Sequence, residues 1–105
     1  MKLHLLRFEG CPHVDAARAA LREALAAEQL DVSFEEIDVE DAAAPAWVRG
    51  WGSPTILVDG VDVAGHQRSE SVTCRLYAGG APSVAMIRSR IAAARVARSA
   101  TPGRV

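Results

Sequence analysis

Cys11 and Cys74 are the two thiols of this 105-residue chain, and Cys11 has neighbours that can tune its chemistry. It stands in Gly10-Cys11-Pro12-His13. Lys2 to Phe8 reads as a strand closed by Gly10, and from Val14 on apolar residues recur at helical spacing, at Ala17, Leu21, Ala24 and Leu25. Pro12 suits the first helical position, because its missing N–H is one the helix leaves unpaired anyway. Cys11 then falls at the helix N-cap, where backbone N–H groups and the positive end of the dipole converge. A thiolate is stabilised there, so the pattern predicts a thiol pKa below the free value of roughly 8.5. His13 favours the thiolate by charge when protonated, whereas Asp15 in the first turn opposes ionisation. The plainer readings are a small buried Cys11 and a solvent-facing His13. Cys74, in Thr73-Cys74-Arg75, is either a resolving thiol or a loop residue without a chemical role. Cys11, His13, His66 and Cys74 lack the usual zinc-ligand spacing, so no metal is expected.

The elements that must position these residues follow in order. The first helix is expected from Pro12 to Gln29, with Arg18, Arg22 and Glu28 on a solvated outer face. A second strand is expected over Val32–Val39, with Glu35-Glu36 interrupting its alternation as a bulge or edge feature would. Pro45 limits the next segment to a short helix, about Ala44 to Arg49. Pro54 to Val63 is the clearest β signal: two runs rich in β-branched residues flank Asp59-Gly60, the signature of a type I′ hairpin. The density of apolar residues there implies a strand covered on both sides. Ala64 to Ala81 reads as a long loop, which in a small domain is often functional. A last helix enters through Pro82 with a stripe at Val84, Ile87, Ile91 and Ala94. Arg88, Arg95 and Arg98 read as solvated, and residues 99–105 as a flexible tail.

Composition sets the outer bounds. Hydrophobic residues make up 50% and charged residues 24%, as in a globular chain, and the length suits one domain spanning residues 1–105. A net charge of −1 gives no electrostatic case for nucleic acid. No run approaches the roughly 20 apolar residues of a membrane helix. The apolar N-terminal run is broken by His4 and Arg7, so no signal peptide is expected. The cytoplasm is the expected compartment, where thiols are usually reduced.

The element order, with Cys11-Pro12-His13 at the first strand–helix junction and Ser53-Pro54-Thr55 entering the hairpin, resembles the thioredoxin superfamily, its small glutaredoxin-like form most of all. The resemblance spans about Lys2 to Arg98. It implies an α/β fold of order βαβαββα, a four-stranded mixed sheet with helices on both faces, and a cis bond before Pro54 beside the reactive thiol. It further implies a substrate groove formed by Pro12, His13, Ser53, Pro54, Thr55 and Gly65, which Trp51 could also line. Val14 stands where the family usually has a second cysteine, so the motif is of the single-cysteine kind. Ala64-Gly65-His66-Gln67 matches the family's glutathione-binding segment only in part; no cofactor is expected, and glutathione is a candidate co-substrate. Cys11, Asp15 and Cys74 are also similar in type to the two cysteines and aspartate of sequences labelled alkylmercury lyase. Two thiolates suit a soft metal, and the acid would protonate the leaving carbon.

Three functions result. The first is a thiol–disulfide oxidoreductase with Cys11 as nucleophile, Cys74 or an external thiol as resolving group, and a small-molecule or protein disulfide as substrate. The second is a lyase or mercury-binding protein in which Cys11 and Cys74 hold the metal and Asp15 supplies the proton. The third is a binding module without chemistry.

Overall fold

A computed structural model of the protein describes residues 1–49, 51–65 and 82–99. The expectations for Cys74, for the loop beyond Gly65 and for the tail after Ser99 lie outside the described residues. The elements are β1 (Leu3–Arg7), α1 (Val14–Ala27), β2 (Glu35–Asp38), a single 3-10 turn (Ala46–Val48), β3 (Thr55–Val58), β4 (Val61–Asp62) and α2 (Val84–Ser99). The fold is α/β, with one open, mixed, four-stranded sheet in the order β2-β1-β3-β4. β1 and β2 are parallel, whereas β3 is antiparallel to both β1 and β4. No helix among the described residues is long and apolar enough to cross a membrane.

The side-chain alternation of β1 explains the two faces of the sheet. Leu3 and Leu5 point to one side, with Ile56 and Val58 beside them on β3. Val14, Ala17, Leu21, Ala24 and Leu25 of α1 and Ile87 and Ile91 of α2 pack onto that side. These are the residues that helical spacing selects. Burying each large one contributes roughly 1.5–3 kcal/mol. Leu6 points to the other side, where it meets Ile37, Val39, Val48 and Leu57. All four residues of β3 are buried, as a strand covered on both sides requires.

Both α-helices of the described residues therefore lie on one face, which corrects the expectation of helices on both. The segment expected as a helix over Ala44–Arg49 closes only one 3-10 turn, with Pro45 as its N-cap and Arg49 already extended at φ −66°, ψ 141°. β2 is also shorter than the sequence suggests. Its ladder with β1 begins at His4↔Glu35, so Val32 and Phe34 precede it, and Val32 is left exposed. Glu35 and Glu36 lie within that edge-strand ladder.

The hairpin forms as its sequence dictates. Asp59 (φ 50°) and Gly60 (φ 83°) both occupy the left-handed region that a type I′ turn requires. Asp59 Oδ1 accepts the Lys2 backbone N–H at 2.7 Å, and the Asp59 N–H donates to the Lys2 carbonyl at 2.8 Å, tying the turn to the start of β1.

Candidate functional site

The thiol sits in the passage from β1 to α1. The Cys11 N–H donates to the Phe8 carbonyl at 3.4 Å across a four-residue turn with Gly10 at φ 84°. Only glycine takes that conformation without strain. A second turn, at Pro12-His13, follows before the helix starts. The helical N-cap is His13, whose carbonyl accepts the Ala17 N–H at 3.1 Å, and its side chain makes no capping bond. Cys11 thus lies two residues ahead of the cap, and Pro12 outside the first helical position. This corrects the sequence-based placement: the Gly10 turn takes up the residues the helix would have used. The reduced thiol of Cys11 is half-buried against the edge of the helix-side core. Val14, three residues on, is buried in that core.

Register brings the second motif to the same end of the sheet. Leu6 pairs with Thr55, so the residues entering β3 lie beside the C-terminal end of β1, from which the Cys11 turn departs. The Ser53–Pro54 peptide bond is cis. Pro54 and Thr55 are buried, and Thr55 Oγ1 donates to the Gly52 carbonyl at 2.7 Å. Ser53 is wholly buried, and its Oγ has no hydrogen-bond partner among the described residues. β4 runs back antiparallel to β3 toward this end. It finishes in a turn in which the Gly65 N–H donates to the Asp62 carbonyl at 2.9 Å, with Gly65 at φ 77°. Cys11, Pro12 and His13 therefore share one end of the sheet with Ser53, Pro54 and Thr55.

Asp15 has a different setting. Its exposed carboxylate accepts from Arg18 Nη1 at 2.6 Å. Arg18 also donates from Nε and Nη2 to both oxygens of Glu36, at 2.6 and 2.9 Å. Arg7 Nε lies 3.4 Å from Glu36 Oε1 on the other side. The Arg18 hydrogen bond, reinforced by the Arg18 and Arg7 charges, holds the Glu36 carboxyl below its ordinary pKa. The same two carboxylates raise the Arg18 pKa, Glu36 contributing most. Arg18 thus offsets the negative charge that Asp15 carries into the first turn, and it clamps α1 onto β2.

Two features escaped the sequence reading. Glu28, expected on a solvated face, accepts Arg88 Nε at 2.8 Å and Arg95 Nη1 at 3.3 Å, while Arg95 Nη2 donates to the Glu28 carbonyl at 2.9 Å. This clasp joins the C-terminus of α1 to α2. The second is a cavity of about 380 Å³ on the other face of the sheet, lined by Trp47, Trp51, His4, Leu57, Lys2, Asp59 and Gly60. Trp51 lines this cavity and also packs on the cluster of Leu6, Ile37 and Val48. Charge pairing across helices and two tryptophans outside the α-helices and β-strands leave no periodic signature, so spacing alone does not reveal either feature. No group of three or more His, Cys, Asp or Glu side chains able to hold a metal occurs among the described residues.

Compared with known proteins, the chain matches no family model, no curated protein and no solved structure.

Proposed function

We propose that the chain is a thiol–disulfide oxidoreductase of thioredoxin-like, glutaredoxin-like type, with Cys11 as its nucleophile. The observation that carries this reading is the convergence of Cys11-Pro12-His13 and Ser53-Pro54-Thr55 at one end of a sheet ordered β2-β1-β3-β4. A half-buried thiol on a turn ahead of a helix is open to a substrate on one side and fixed by core packing on the other. The Cys11 thiolate attacks one sulfur of a disulfide. A bond forms between that sulfur and Cys11 Sγ, and the other sulfur leaves as a thiolate and takes up a proton. A second thiol, from Cys74 or from an external donor such as glutathione, then attacks the mixed disulfide and returns Cys11 to the reduced state. Such a cycle belongs in a reducing compartment, and we assign the protein to the cytoplasm on that ground.

The mercury reading asks Asp15 to deliver a proton beside Cys11. Its carboxylate is exposed and bound to Arg18, so that reading gains nothing from the structure. The test is to treat the reduced protein with glutathione disulfide and map the adduct by mass spectrometry. The expected product is a mixed disulfide on Cys11, or a Cys11–Cys74 disulfide derived from it. An unmodified Cys11 overturns the proposal.

A further inference from the structure

We propose that His4 and Trp47 form a proton-sensitive latch, separate from the thiol: protonation of His4 parts the two rings and opens the cavity that both line. His4 lies on the side of β1 away from the helices, as a ladder partner of Leu57 on β3 and of Glu35 on β2. Its side chain is 17% exposed, and its Nε2 lies 3.5 Å from Glu35 Oε1. Nδ1 is shielded from solvent and has no hydrogen-bond partner among the described residues. The His4 ring meets the Trp47 ring edge-on, with centroids 4.9 Å apart and planes at 71°. Glu35 and Leu57 are fixed in the ladder. Trp47 stands on a single 3-10 turn, is 41% exposed and lines with His4 the cavity of about 380 Å³. The ring contact is where this packing can yield.

A neutral imidazole suits the setting. It carries one N–H, which on Nε2 faces the Glu35 carboxylate, and it leaves Nδ1 as a bare lone pair. Protonation puts a second N–H on Nδ1, where no acceptor waits, and charges the ring. A buried donor left unpaired is costly, more so on a charged group. Water satisfies it once the rings separate. The separated form thus has the higher proton affinity, and linkage makes acid favour it. The surrounding charges set the pH of the change and not its direction. Glu35 faces the ring from β2, and Lys2 and Asp59 share the cavity rim with it. Asp62 is buried one strand beyond Leu57, Arg49 ends the turn that carries Trp47, and Met1 with its amino group lines the adjoining cavity. These groups act on the ring whether or not Trp47 is against it; the isolation of Nδ1 is what changes.

The experiment is an NMR titration of the full chain between about pH 8 and 5, the range in which histidine changes charge. It follows the His4 ring protons, the Trp47 indole N–H and the cross-relaxation between the two rings. The expected result is a cross-peak that fades as His4 takes up its proton, with the Trp47 resonance moving at the same midpoint. The ratio of joined to parted rings should fall roughly ten-fold on protonation. His4→Phe keeps an aromatic ring without a titrating nitrogen, and its Trp47 resonance should not move with pH over this range. If His4→Phe does not fold, the coincidence of the two midpoints in the parent decides. The proposal is overturned if Trp47 stays put while His4 titrates, or if His4 takes no proton before the chain unfolds. It is equally overturned if the cross-peak grows in acid, as a cation–π contact would make it, or if Trp47 titrates in His4→Phe as in the parent.

Discussion

The two faces of the sheet are built on different principles. The helix side is apolar along its length, from Leu3 to Leu5 on β1 and from Ile56 to Val58 on β3, and two helices cover it. Glu36, a polar side chain turned to that side from β2, is neutralised by Arg18 and Arg7. The other side is apolar at Leu6 and Ile37 toward the Cys11 end and at Leu57 on β3. Toward the opposite end it carries His4 and Glu35, whose nearest atoms lie 3.5 Å apart, with Lys2 beyond. Among the described residues, one 3-10 turn and two tryptophans lie over it. A helix needs a continuous apolar stripe beneath it to bury its own, and His4, Glu35 and Lys2 interrupt the one on this face. The helix side therefore supplies stability, whereas the loop side and the sheet ends leave room for ligands.

The largest expected difference between the faces is in stability. Leu21→Ala removes a fully buried side chain from the helix-side core and should lower unfolding free energy by about 2–5 kcal/mol. Trp47→Ala deletes a larger side chain, but from a position 41% exposed, and should change stability by less than about 1 kcal/mol. Urea unfolding of both variants checks this. Similar losses from the two would break the contrast. A smaller effect sharpens it. The Glu36 carboxyl titrates below its ordinary value of 4.5 because it faces Arg18 and Arg7. A depressed pKa gives stability that is present above the unfolded value and is lost as pH falls through the folded one. Glu36→Gln should therefore be less stable than the parent at neutral pH, by about 1 kcal/mol for a pair partly open to solvent. The gap should close on acidification below 4.5. A gap that stays constant with pH would mean that packing, and not charge, ties α1 to β2.

Much of the helix side was legible in the sequence. Spacing selected the five buried residues of α1 and the stripe at Ile87 and Ile91 because helical periodicity reports burial on one side. The Asp59-Gly60 hairpin was legible because few residues tolerate two successive positive φ angles. The alternation of β2 is broken because Glu36 is turned to the core side, where Arg18 of α1 meets it. The helix start was misplaced because Gly10 and Pro12 each signal a boundary, and the turn at Gly10 claimed Cys11 first. The helix expected at Ala44–Arg49 reduced to one turn because Pro45 and the extended Arg49 confine it. Within the candidate site, the sequence identified Cys11 and Ser53-Pro54-Thr55, while their meeting at one sheet end needed the antiparallel register of β1 and β3. Arg18 as the partner of Asp15 was missed, since i,i+3 charge pairs are common on solvated helices.

The central claim is that Cys11 is the working nucleophile, and turnover tests it most directly. The parent, Cys11→Ser and Cys74→Ser are compared for glutathione-dependent reduction of hydroxyethyl disulfide. The account predicts turnover by the parent and its loss in Cys11→Ser. Cys74→Ser should retain turnover, because glutathione itself can resolve the mixed disulfide. Equal rates for the parent and Cys11→Ser, or no turnover by any of the three, would contradict it.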